Sequence, residues 1–251
     1  MIHNSFVIKE LDELGIKTVD KLPSPAPANS ICVIRSHGAS VDLINEIRNM
    51  GYEVVDLTCP DVKKVQDKAV NLAQEGYFLI ILGKKEHPEV VAIKSNAEKY
   101  ANGELIVIKD LEELKQYEDL IKTKKKIGVV IQTTQRIEFL KEVVDYLLDK
   151  TVDLKIANTI CKSTALRQNE AKEMGRMKDL MVVAGSKKSA NTTHLAQILE
   201  KITKTLHIES ESEIENFKDI IKNSKNIGIT AGASTPDYII EQIKNNIERV
   251  K

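Results

Sequence analysis

Tryptophan is absent from the sequence and aromatic residues make up 4% of it, too few for the stacking platforms on which single-stranded nucleic-acid binders depend. Neither charge is in excess to coat a polyanion or form an acidic tail, because 37 basic residues balance 37 acidic ones. The three cysteines, Cys32, Cys59 and Cys161, are odd in number and far apart, which argues against a secreted disulfide framework. The longest apolar runs, such as YFLIIL and IGVVI, are far short of a membrane span, and no basic-then-apolar leader precedes them. The expectation is a cytoplasmic protein with no membrane and no nucleic-acid partner.

What the chain does have is length enough for a large core, 251 residues, and a repeating pattern. Short β-rich apolar runs alternate with stretches of helical period, as in parallel sheets covered on both faces. Strands are expected at 31–36, 53–58, 78–83, 104–108, 127–132, 153–158, 179–185, 205–209 and 226–232. Helices fall between them; RIEFLKEVVDYLLDK carries Ile137, Leu140, Val143, Val144 and Leu147 on one face. KLPSPAPANS (21–30) reads as a surface connection. Recurring strand–loop–helix units favour several small α/β domains over one wide sheet.

In open α/β sheets ligands sit beyond the carboxyl ends of strands, where loops and helix N-termini converge. Those ends are rich in chemistry here. RSHG presents His37, GKKEHPEV presents His87 and Glu89, QTT presents Thr133 and Thr134, GSKKSAN presents Ser189 and Asn191, and TAGASTPD presents Ser234. Each has an ordinary explanation. Ser and Asn before a helix are common N-caps, glycines serve sharp turns, and a lone histidine is as often structural as functional. Together, hydroxyl-bearing loops at the same strand ends would form a cradle of N–H groups and helix termini suited to a phosphate or diphosphate.

Cys59 and Cys161 each follow an apolar strand and lead into a helix, whereas Cys32 lies among aliphatic residues and reads as a small buried hydrophobe. A thiol at a helix start ionises readily and can serve as packing, nucleophile or metal ligand. No CxxC pair chooses among these.

RSHG, DLTCP-VKK, HPEV, QTT, ICKSTALRQNEA, GSKKSAN and TAGASTPD, in this order and over essentially the whole chain, resemble the motif series of the 4-hydroxy-3-methylbut-2-enyl diphosphate reductases. That resemblance implies three small parallel-sheet α/β domains around a central cavity, here 1–58, 59–158 and 159–251. It implies a 4Fe-4S cluster with Cys59 and Cys161 as ligands, and diphosphate binding by His3, His37, His87, Ser189, Asn191 and Ser234. It further implies Glu89 as proton source, Thr133 beside the substrate hydroxyl, and electrons from a donor such as ferredoxin or flavodoxin. The reaction removes an allylic hydroxyl as water, with two electrons and two protons, to give isopentenyl and dimethylallyl diphosphates.

Some positions depart from the family pattern. The loop carrying the family's first cluster cysteine has no counterpart before HN, so the first domain is expected to be incomplete, with a sheet edge uncovered and the third cysteine ligand missing. Cys32 is a poor substitute. Position 190 is alanine where a serine is usual, and HPEVVAI lacks a glycine after the glutamate, which could alter the start of the following helix. Alternatives to an active reductase are a diphosphate-binding paralogue without redox activity and a reductase for another substrate whose cluster has a non-cysteine third ligand.

Overall fold

The computed structural model describes residues 5–19 and 21–251. In chain order the elements are α1 (Ser5–Glu13), β1 (Ile31–Ile34), α2 (Val41–Asn49), β2 (Glu53–Asp56), α3 (Pro60–Gln74), β3 (Phe78–Leu82), α4 (Pro88–Ala101), β4 (Leu105–Ile108), α5 (Leu111–Lys115), α6 (Glu118–Lys122) and β5 (Lys126–Ile131). Then follow α7 (Ile137–Leu148), β6 (Asp153–Ala157), α8 (Lys162–Gly175), β7 (Leu180–Ala184), α9 (Ala190–Glu200), β8 (Lys204–Ile208), a 3₁₀ segment (Glu211–Phe217), α10 (Lys218–Asn223), β9 (Ile227–Ala231) and α11 (Asp237–Val250). All nine expected strands form. The commonest difference is an earlier end: the run read as 53–58 stops at Asp56, whose carboxylate accepts from the N–H of Thr58.

Every strand pairing is parallel, which bears out the α/β reading. The strands form a pair β1-β2, a sheet in the order β4-β3-β5-β6 and a sheet in the order β8-β7-β9. The chain divides into two compact units, residues 19–161 and residues 162–251 together with α1.

In the first unit, period-2 alternation within a wholly buried strand builds two cores at once. Phe78, Ile80 and Leu82 of β3 pack with Val129, Ile131, Phe139, Leu140 and Leu147. Leu79 and Ile81 point the other way, against Val65, Leu72, Val90 and Ile93 of α3 and α4. Gly128 is required in β5 because a Cβ there would press on the Leu72 side chain at 3.1 Å. The β1-β2 pair is covered on one side by Ile47 and Tyr52 with Ile34; Ile31, Val33 and Val55, which share the other face, are exposed.

Strand order fixes where loops meet. From β3 the chain crosses outward to β4, and from β5 it crosses the opposite way to β6, so the loops after β3 and β5 diverge and leave a crevice between them. The second unit repeats the device: β7 leads outward to β8, β9 lies on its other side, and the crevice opens between the loops after β7 and β9.

Ile81 is fully buried and Val152 is 88% exposed. Truncating Ile81 to alanine is expected to lower stability by about 2–5 kcal/mol, while Val152→Ala changes it by less than about 0.5 kcal/mol; urea denaturation followed by circular dichroism checks both.

Candidate functional site

The β3/β5 crevice of the first unit is built by two short loops. After β3, Gly83 turns the chain and His87 caps α4, its Nδ1 accepting from the N–H of Glu89 at 3.2 Å with Pro88 as the first helical residue. Proline suits that position because its missing N–H would have no helical partner. α4 begins at Pro88, and Ala92 is buried within it.

Glu89 lies in the first turn of α4 and is only 1% exposed. Its Oε1 accepts from the N–H of Thr133 at 2.7 Å and its Oε2 from the Thr133 hydroxyl at 2.8 Å. Burial pushes its carboxyl up to about 7, against the pull of the two Thr133 hydrogen bonds. A carboxyl poised near neutrality can hold a proton and release it at little cost.

Thr133 is itself held. Its carbonyl accepts from the N–H of Cys161 at 2.9 Å, and the Thr159 hydroxyl bonds both N–H and C=O of Ile131, fastening the segment before Cys161 to the end of β5. On the other side, the N–H of Cys59 donates to the carbonyl of Ser36 at 3.0 Å. The next residue, His37, sets its ring edge-on to that of His87 at 5.3 Å between centroids. The N–H of Val41 donates to the buried Asn96 side chain at 2.9 Å, holding the start of α2 to α4. A continuous set of contacts thus runs from Cys59 through Ser36, His37, His87, Glu89 and Thr133 to Cys161.

Cys59 is the N-cap of α3, followed by Pro60, and Cys161 immediately precedes α8; both are half-buried and neither is in a disulfide. Cys32 packs beside Ile34 and Ile47, and burial pushes its thiol up, in keeping with its reading as a small hydrophobe. Among the described residues no group of three or more His, Cys, Asp and Glu side chains could hold a metal ion. Two thiols at helix starts suit an iron–sulfur cluster, but the described residues supply no third ligand, so the donor set falls short of one.

The β7/β9 crevice belongs to the second unit. Ser189 caps α9 through the N–H of Thr192. Asn191, 7% exposed, keeps its Nδ2 buried without a hydrogen-bond partner, and so does the Oγ1 of Thr192. The loop carrying Ser234 is drawn in by two bonds to the carbonyl of Ala184, from the N–H of Gly232 and the Thr235 hydroxyl, each 3.0 Å. A Cβ at Gly232 would fall 1.9 Å from the Thr192 hydroxyl, so only glycine fits there. His3 lies outside the described residues.

Sequence reasoning overlooked Gln132. It is fully buried at the end of β5, donates to the Thr134 hydroxyl at 3.1 Å, and accepts from the N–H of Lys84, tying the two loops of the crevice together. An amide directly after IGVVI, where the strand pattern asks for an apolar residue, was the available signal. Gln66 was also missed: its Nε2 is buried without a partner, and a Cβ at Gly38 would approach it to 2.6 Å.

The family model described as LytB protein matches residues 1–248. The chain belongs to that family. Curated relatives named 4-hydroxy-3-methylbut-2-enyl diphosphate reductase include those of Syntrophotalea carbinolica, 40% identical, and Citrifermentans bemidjiense, 41% identical, each over all of this chain and 85% of the relative. A solved structure of the reductase described as the terminal enzyme of the non-mevalonate pathway is 36% identical, with a TM-score of 0.67 over 99% of this chain and 85% of that one. The Plasmodium falciparum enzyme, titled E-1-hydroxy-2-methyl-but-2-enyl-4-diphosphate reductase, has a TM-score of 0.86 at 25% identity, over 97% of this chain and 75% of that one. Both neighbours agree with the family's α/β fold.

Glu89 gives the crevice a measurable signature. A carboxyl raised from 4.5 to about 7 makes the folded state bind the proton more tightly, so its contribution is whole below pH 4.5 and is lost as pH rises to about 7. Stability is expected to fall over that window by up to about 1.4 kcal/mol per pH unit from this group. Glu89→Gln, which cannot ionise, should lose that slope; identical pH–stability curves for the two proteins between pH 5 and 8 would contradict the assignment.

Proposed function

We propose that this chain catalyses the reductive dehydroxylation of 4-hydroxy-3-methylbut-2-enyl diphosphate to isopentenyl and dimethylallyl diphosphates. The observation that carries the reading is the buried Glu89–Thr133 pair between two loops that also bear His87 and lead to Cys161. The names of the relatives, at about 40% identity over the whole chain, support the substrate.

The chemistry asks for a proton at an oxygen that is otherwise a poor leaving group. Protonated Glu89 donates to the Thr133 hydroxyl, which donates onward to the allylic oxygen, so that oxygen departs as water and the carboxylate is left holding two Thr133 donors. Two electrons and a second proton complete the balance. Cys59 and Cys161 would be two of the ligands of an iron–sulfur cluster whose third ligand the described residues do not supply; such a cluster would furnish the electrons, taken from a donor of the ferredoxin or flavodoxin type. Diphosphate binding is assigned to His37, His87, Ser189, Asn191 and Ser234 on the motifs they share with the family, through side chains and helix-start N–H groups; His3 is assigned to the same task. The setting is cytoplasmic; among the described residues no helix is long and apolar enough to cross a membrane.

A second reading, a diphosphate-binding paralogue without redox activity, draws on one observation: the described residues offer no third metal ligand. Anaerobic reconstitution of the full chain with iron and sulfide, then reduction and assay for loss of the allylic hydroxyl, separates the two. The reductase reading expects turnover that falls by at least about 10²-fold in Glu89→Gln, with affinity for inorganic pyrophosphate kept. Pyrophosphate binding with neither cluster absorption nor turnover would select the paralogue.

A further inference from the structure

Of the two lysines on the first loop of the β7/β9 crevice, 187 and 188, Lys187 is held in an ion pair with Glu213 at 2.6 Å and Lys188 is exposed. Yet the second unit collects buried polar atoms without hydrogen-bond partners: Asn191 Nδ2, Thr192 Oγ1, Gln168 Nε2 and Arg167 Nε. Native proteins satisfy nearly all buried polar groups, so donors left open together at one end of a sheet mark a place that an outside acceptor fills.

Topology brings Arg167 and Gln168 to that end. Only a short connection joins the C-terminus of α8 to the start of β7, so the helix runs back against the strand and its first half lies beside the strand's carboxyl end. Arg167 confirms the placement, since its Nη1 donates to the carbonyl of Ala231, the last residue of β9, at 3.3 Å. The neighbouring residue is Gly232, against which the Thr192 side chain is packed. Arg167 therefore grips the turn carrying Ser234 from one side while Thr192 supports it from the other.

We propose that Arg167 is a positioning residue for the diphosphate cradle of the second unit: it fixes the Ala231–Ser234 turn through the Ala231 carbonyl and turns its remaining guanidinium donors and its positive charge toward the bound anion's side of the turn. The assignment rests on the functional reading above and extends it to a residue outside the strand-end loops. A guanidinium suits the task because its planar fork serves a backbone carbonyl and an anion at once, which an ammonium does less well. Gln168 borders the same end without a charge and is no substitute.

The test uses the full chain, with inorganic pyrophosphate as titrant in a calorimeter and thermal melts recorded in parallel. Arg167→Met is expected to weaken pyrophosphate binding by roughly tenfold or more, the loss of a charge-assisted contact, with Arg167→Lys between it and the native protein. If the Met variant does not fold, Arg167→Gln, of comparable reach and uncharged, takes its place. A purely structural role would lower the melting temperature and leave the affinity of the folded protein as it was, and that result overturns the proposal. Asn191→Ala separates the levels of inference. Loss of binding in Asn191→Ala with native affinity in Arg167→Met removes the role of Arg167 and keeps the cradle; no pyrophosphate binding by the native chain removes both.

Discussion

Parallel sheets whose strand order reverses have an unavoidable gap, and the sheets β4-β3-β5-β6 and β8-β7-β9 each have one. Where β3 leads outward to β4 and β5 outward to β6, the crossing helices diverge and cannot close the space above the strands. The same holds between β7 and β9. Both gaps are lined by helix starts, where N–H groups lack intrahelical partners, so a crevice made by topology is already an acceptor-seeking surface before any side chain is chosen. The loops need only be short and glycine-bearing to keep their polar groups aimed inward, and Gly185 and Gly232 meet that need at the second gap.

The first gap adds a cost that the second avoids. Placing a carboxyl there under nearly complete burial is unfavourable whenever it is charged, and Thr133 offsets this only in part, with one backbone and one hydroxyl donor. No lysine or arginine contacts the Glu89 carboxyl among the causes that set its protonation. A cation would have held it ionised at neutral pH. Hydrogen bonding without charge is thus the compromise that keeps the group ordered and still protonatable. The tie from Thr133 to the N–H of Cys161 makes the position of the acid and that of the thiol one structural decision.

Strand positions were legible in the sequence because buried parallel strands are nearly continuous apolar runs between turn residues, a signal that survives tertiary context. Residues standing next to those runs were legible for the same reason: His87, Glu89 and Thr133 occur just where the pattern breaks, and they meet in one crevice. What could not be read was pairing across space. That Glu89 meets Thr133 depends on β3 lying beside β5, and strand order leaves no trace in local periodicity. Gln132 was readable in principle as a polar residue at an apolar position. Arg167 was not, because a half-buried arginine in a helix of low amphipathicity looks like any solvated one.

The two crevices differ in what each can tolerate. A carboxyl that stays protonatable near pH 7 needs burial and the absence of cations, while a loop that binds an anion needs donors and gains from a cation. One cavity wall cannot supply both without the cation depressing the acid. Glu89 lies in the first crevice with no cation among the groups that set its protonation, whereas the guanidinium of Arg167 lies at the second. In a protein of zero formal net charge, this is a local arrangement of field rather than a global one. It follows that moving a positive charge into the first crevice should hold the Glu89 carboxyl ionised at neutral pH, whatever it does for anion binding.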